Sequence, residues 1–244
     1  MNNVLFTSRT ARNIVLSKVG FMAGRQCLKR IWMCHNVPEQ IPVPDVSELA
    51  AMEQGRTVGR LARNLFPEGI KIANEPNGPE DFCTQTENCL DRRVPIFEAA
   101  FFSKGLFARA DIMNPVGDEE WDLYEVKAAA DVKEEHIWDV AFQAQIVAAV
   151  GLKLRRCHVI HIDTEYVRKE AINISELFQV KDVTTSVLHI RAEVTEAAEK
   201  IFKIIHQETC PQIPIGPRCD DPISCPLKKE CWSSIKNDSV TTLY

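Results

Sequence analysis

The chain has 244 residues, a net charge of −5, 45% hydrophobic content and nine cysteines. That is enough to bury one large core, and no apolar run approaches the roughly 20 residues of a membrane span. An odd cysteine count without a secretory apolar region argues against a disulfide framework and for a reducing compartment, so a soluble, cytoplasmic protein is expected.

The charge is unevenly spread. From Met1 to Pro38 there is no acidic residue, whereas Arg9, Arg12, Lys18, Arg25, Lys29 and Arg30 are basic. Such a start also suits a transit peptide, but the basic residues continue around Cys27, and a phosphate-facing surface is the preferred reading. Ser17 is a candidate cap for one helix over 18–36, with Phe21, Leu28, Ile31 and Trp32 as its apolar stripe. PEQIPVP reads as a linker. Asp45 or Ser47 then opens a helix that Pro67 and Gly69 stop, and a shorter helix follows Pro79.

Three strand-like runs come next, PIFEAAFF, GLFARADIM and WDLYEVKA, divided by turn signals at 103–105 and 114–118. The following helix, 133–150, carries Ile137, Val140, Ala141, Ala144, Val147 and Ala148 on one face and Gly151 as its stop. RRCHVIHI reads as a strand, and a last helix is expected over 185–207. The order helix, three strands, helix, strand predicts an α/β core whose sheet is covered by helices.

Two groups of residues carry chemistry. Cys219, Cys225 and Cys231 stand at C-x5-C-x5-C spacing behind a proline-rich stretch, and Cys27 lies far upstream. Three thiolates in a loop with a fourth from a distance suit a metal or iron–sulfur site that staples the two ends of the chain. The bland alternative is four scattered buried thiols, the reading given to Cys34, Cys157 and Cys210. Cys83 and Cys89 fall in a helix-like segment and read as incidental, and Cys210 is the substitute if one of the four ligands is misassigned.

The second group is acidic. Glu125 and Lys127 lie two apart on one strand and so share a face, and a hairpin partner would bring Asp111 alongside Glu125. Two carboxylates on one face with no local cation repel unless a divalent metal sits between them, and oxygen ligands favour Mg²⁺ or Mn²⁺. A solvated strand face with alternating charge would produce the same pattern. Glu98, on the preceding strand, is either a further acidic ligand or water-orienting residue, or an exposed carboxylate. Gln143 shares a helix face with His136 and Asp139 rather than with the apolar stripe, and is otherwise read as a residue of the wet face.

Asp111 followed by Glu125-Val126-Lys127, in this element order, resembles the PD-(D/E)XK nuclease superfamily. Gln143 in DVAFQAQIV looks like the glutamine after the ExK strand in the RecB-like branch. Cys27 with Cys219, Cys225 and Cys231 resembles the split four-cysteine iron–sulfur cluster of the CRISPR-adaptation exonucleases and the AddB nuclease domain. Phrases such as FMAGRQCLKRIW, VGRLARNLFPEGI, EVKAAADVK and the final IGPRC…CP…C are similar to an uncharacterised bacterial family with the same nuclease core, over about residues 17 to 232.

The resemblance implies a restriction-endonuclease-like core at 41–184, an N-terminal helical segment at 1–40 and a cysteine-bearing tail at 185–244. It also implies a metal-dependent DNA exonuclease acting on single-stranded ends. Asp111 and Glu125 would hold Mg²⁺ or Mn²⁺, Lys127 and Gln143 would assist water and phosphate, and a [4Fe–4S] cluster would be structural, zinc remaining the other possibility. A nuclease, helicase or integrase subunit would be a possible partner. One departure stands out: where the CRISPR-adaptation enzymes carry G-x-x-x-H, this chain has Gly55-Arg56-Thr57-Val58-Gly59. A catalytically weak or inactive nucleic-acid-binding adaptor is therefore the alternative.

Overall fold

Residues 7–10, 13–72 and 78–233 are described by a computed structural model. In chain order the elements are β1 (Thr7–Thr10), β2 (Asn13–Ser17), α1 (Lys18–Gln26), α2 (Leu28–Asn36), α3 (Val46–Ala62), β3 (Ile70–Lys71), α4 (Pro79–Leu90), β4 (Ile96–Ser103), β5 (Leu106–Val116) and β6 (Glu120–Lys127). They continue as α5 (Glu134–Ala149), β7 (Lys153–Ile162), α6 (Ile174–Leu177), β8 (Phe178–Asp182), α7 (Thr184–His189), α8 (Arg191–Ile205) and α9 (Lys228–Trp232). Among the described residues the strands form one mixed eight-stranded sheet, in which β4, β5 and β6 are successive antiparallel neighbours and β7 joins β6 in parallel across the α5 crossover. Strands β1, β2, β3 and β8 were not expected from the sequence.

The three expected strands form where apolar runs are bounded by turn residues. Lys104 and Gly105 both take positive φ, which closes a two-residue hairpin with Ser103 opposite Leu106. The next strand runs further than expected, through Asn114 and Pro115 to Val116, and Gly117 makes the turn at φ +54.

Strand β5 forks the sheet. One edge pairs β4 between Leu106 and Met113, while the other pairs β2 in parallel at Leu106 and Phe107 and then β6 from Ile112 to Val116. Asp111 sits in the gap between β2 and β6. The alternation also slips there. Ala108, Ala110 and Met113 all enter one core, and Ile96, Ala99 and Phe101 do likewise around Glu98, whose φ is +61.

Two expected helices are each broken. The 18–36 helix stops at Cys27, in extended conformation at φ −156 and ψ 120, and restarts at Leu28. The 185–207 helix divides at Ile190. By contrast, Asp45 caps α3 as expected: its carboxylate accepts the Glu48 amide at 2.9 Å, and Glu48 accepts the Asp45 amide at 2.8 Å. Asp45→Ala should therefore lower stability, read as a thermal midpoint roughly 3 °C lower.

Helix α5 differs from its expected one-sided burial. Phe142, Gln143 and Ile146 are fully buried alongside Val140 and Val147, and α5 packs against the sheet on one side and against α1, α7 and α8 on the other. One hydrophobic cluster runs from Leu16, Phe21 and Ile31 through the sheet to Val187, Val194 and Ile205, so the expected segments 1–40, 41–184 and 185–244 contribute to a common core among the described residues. Arg12 and the end of the tail, 234–244, lie outside the described residues.

Candidate active site and cysteine clasp

The antiparallel register that sets Ile112 opposite Tyr124 brings Asp111 beside Glu125, and Asp111 Oδ2 accepts the Val126 amide at 2.7 Å. Glu125 is 2% exposed. Its Oε1 accepts Lys127 Nζ at 2.8 Å, and its Oε2 accepts Gln143 Nε2 at 2.7 Å. Four residues proposed from the sequence, Asp111, Glu125, Lys127 and Gln143, thus meet at the fork. Gln143 is wholly buried rather than on a wet helix face; Nε2 also donates to Asp139 Oδ1 at 3.0 Å, while Oε1 has no hydrogen-bond partner among the described residues.

Two residues of this cluster were missed as participants. Asp139, one turn before Gln143 on α5, accepts a hydrogen bond from Lys127 Nζ and is 5% exposed. Lys18, read only as part of a basic surface, places Nζ 2.9 Å and 3.1 Å from the two oxygens of Glu125. The premise that the carboxylates gain no local cation is therefore corrected. Strand β2 docks Ser17 opposite Phe107, so the next residue enters the fork. No spacing rule could have found it, because its partner lies 107 residues away.

Electrostatics divide the carboxylates. Burial, then the charge of Glu125, push the Asp111 carboxyl well above its ordinary range, with Glu98 adding to the effect and Lys18 opposing it. Burial acts to raise Glu125 as well, but Lys127 and Lys18 outweigh it and hold this carboxyl below the usual range. Burial opposes the charge on both lysines, yet Asp139 and Glu125 keep their pKa values raised. The arrangement is an alternation of two ammonium groups with two buried carboxylates, and the partly buried Asp111 is ready to accept a proton or a cation.

Glu98 is enclosed differently. Arg63, just beyond α3, donates to its Oε1 at 2.6 Å, and Arg109 stands 3.1 Å from its Oε2. Both oxygens are thus neutralised by guanidinium groups. The basic N-terminal surface is also revised. Lys18 points into the fork, Arg25 lies 3.6 Å above the Trp138 ring, Arg30 is buried against Gln26, and Lys29 lines the cysteine cavity.

Cys27, Cys219, Cys225 and Cys231 line a single cavity together with Lys29, Arg218 and Lys228. Helix α1 ends there, and Cys27, in extended conformation, faces the cavity shared with the C-terminal loop. Gln26 forms a second part of the clasp: Nε2 donates to the carbonyls of Arg218 at 3.0 Å, Asp221 at 3.3 Å and Ile223 at 2.5 Å. Burial raises the Cys225 thiol, and Cys27 and Cys219 add to that shift. Cys34 and Cys157 are buried thiols, pushed up by burial to about 11 and about 12. Cys210 is not among the cavity-lining residues, although it feels Cys27 and Cys231. Among the described residues, no group of three or more His, Cys, Asp or Glu side chains is drawn together so as to hold a single metal ion. Nor is any helix there long and apolar enough to cross a membrane.

No family model matches the chain, and the search of curated proteins finds no match. Among solved structures it is similar to an alkaline exonuclease from Laribacter hongkongensis, LHK-Exo, at a TM-score of 0.44 and 13% identity over 78% of this chain and 89% of that one. The structure of LHK-Exo in complex with dAMP gives 0.41 and 13% over 78% and 88%, and SSO0001 gives 0.42 and 11% over 81% and 79%.

Proposed function

We propose that this protein is a metal-dependent DNA nuclease of the RecB-like PD-(D/E)XK kind, acting as an exonuclease on single-stranded ends and carrying a structural [4Fe–4S] cluster. The observation that carries the reading is the meeting of Asp111, Glu125, Lys127 and Gln143 at the β5–β6 fork. The donor chemistry fits a divalent ion: Asp111 and Glu125 bring carboxylate oxygens together at the fork, and the buried Gln143 Oε1 offers an unused acceptor beside Glu125. Asp111 and Glu125 would hold Mg²⁺ or Mn²⁺, and that ion would supply Lewis-acid stabilisation of charge on a phosphate. Lys127, fixed by Glu125 and Asp139, presents positive charge where negative charge grows on the phosphate. Gln143 holds the Glu125 carboxylate in orientation. The test is cleavage of end-labelled single- and double-stranded DNA by anaerobically purified protein with Mn²⁺ or Mg²⁺. Product ladders shortened from one end of single strands support the reading, and uncut DNA under all conditions overturns it.

The four thiols lining one cavity are a donor set that would hold a thiolate-ligated cluster. The basic rim of Lys29, Arg218 and Lys228 suits the net negative charge of a thiolate-ligated cluster.

A second reading, an adaptor that keeps the fold and binds nucleic acid with little or no cleavage, is favoured by two observations. Glu98 is occupied by Arg63 and Arg109, and Gly59 offers no imidazole. A Cβ on Gly59 would meet nothing within 4 Å, so the structure gives it no close-packing role. Gly59 lies one helical turn before Arg63, which contacts Glu98. Gly59→His should therefore fold, gain about 0.5 kcal/mol of helix propensity, and lower the Mn²⁺ concentration for half-maximal cleavage several-fold. Unchanged metal dependence in the folded variant would remove residue 59 from the metal's surroundings.

A further inference from the structure

A carboxylate offers about four lone-pair sites, and those of Glu125 are filled by four contacts. Lys18 approaches both oxygens, at 2.9 and 3.1 Å; Lys127 donates to Oε1 at 2.8 Å and Gln143 to Oε2 at 2.7 Å. A divalent ion can reach Glu125 only if one donor yields. Gln143 is wholly buried and also tied to Asp139 at 3.0 Å. Lys127 springs from the same strand as Glu125 and is also hydrogen-bonded to Asp139. Lys18 is held less firmly. Its contact with Asp139 is 3.6 Å, beyond a hydrogen bond, so it lacks the second carboxylate anchor that Lys127 has.

The backbone beneath Lys18 is fixed, so only the side chain need move. Ser17 pairs with Phe107, and its hydroxyl accepts the Gly20 amide at 3.1 Å as the cap of α1. We propose that Lys18 is the displaceable counter-ion of Glu125, competing directly with a divalent cation for that carboxylate and thereby setting the affinity of the site. The proposal rests on the reading of Asp111 and Glu125 as a metal centre. With Lys18 and Lys127 both in place, the charges of Glu125 and Asp139 are already balanced, and an incoming dication meets two ammonium groups. Displacing Lys18 relieves that repulsion and frees a positive charge at the fork, where a phosphate oxygen can take it.

The test needs no nuclease assay. Mn²⁺ binding is measured by calorimetry on the intact wild-type chain, Lys18→Met and Lys18→Arg, with circular dichroism confirming the fold. Lys18→Met should bind Mn²⁺ about tenfold more tightly or better, because one positive charge within a few ångströms is removed. Lys18→Arg, which keeps the charge, should stay near wild type. Equal or weaker binding by folded Lys18→Met overturns the proposal. If that variant does not fold, amine acetylation of the wild type decides, with Lys18 read by peptide mass spectrometry. Saturating Mn²⁺ should speed its modification, and an unchanged or slower rate overturns the proposal. Absence of Mn²⁺ binding in both wild type and Lys18→Met would overturn it together with the metal-centre reading. Binding that ignores residue 18 would leave that reading standing.

Discussion

Lys127→Ala is expected to reduce DNA cleavage about 100- to 1000-fold, the loss that follows removal of one donor aimed at developing charge. The ammonium bridges Glu125 and Asp139, both nearly inaccessible to solvent, so the variant also leaves two buried carboxylates to share Lys18. A destabilisation of about 1–3 kcal/mol should accompany the loss of activity. The two effects separate cleanly if cleavage is measured well below the thermal midpoint and DNA affinity is followed by fluorescence anisotropy. Affinity should persist, because phosphate binding spreads over many contacts while the lysine acts on the transition state. Equal cleavage by wild type and variant in matched preparations would remove Lys127 from the catalytic centre.

Cys225→Ser is expected to abolish cluster and colour together and to lower the thermal midpoint by about 10 °C, since binding energy in such sites is folding energy. Cys225 is the most buried of the four, 8% exposed, and its amide donates to the Cys219 carbonyl at 2.7 Å. Losing its sulfur would remove one thiol from the cavity wall while the backbone hydrogen bond to Cys219 remains. Cys83→Ser is the control, because Cys83 sits on α4 and does not line the cavity. Wild-type protein purified without oxygen should carry iron and acid-labile sulfide. Colourless protein with stoichiometric zinc would replace the iron–sulfur assignment with a zinc clasp.

The central strands were legible because two local signals agree on them. Apolar runs bounded by turn residues mark the three strands, and Lys104-Gly105 supplies the positive φ angles of a tight hairpin. The capping of α3 by Asp45 and the end of α5 before Gly151, at φ +89, were equally local. Strands β1, β2, β3 and β8 escaped notice because each spans five residues or fewer. Such short pieces are stabilised by the neighbour they join rather than by their own pattern. The interruption at Cys27 has no glycine or proline to announce it. At that point Gln26 is tied to a loop more than 190 residues later, and Cys27 lines the cavity beside that loop.

The candidate site divides along the same line. The sequence by itself determined the pairing of Asp111 with Glu125 and the shared face of Lys127, since antiparallel register and strand period follow from local geometry. It also marked the four cysteines, by composition and spacing. Only the tertiary structure decided that Lys18 would fill half of Glu125's contacts, that Asp139 would hold Lys127, and that Gln143 would be buried between sheet and helices. The physical reason is that a buried charge selects its partners by distance through space. Once β2 docks on β5, the residue after Ser17 is delivered beside a carboxylate that neither sequence spacing nor helix periodicity connects to it.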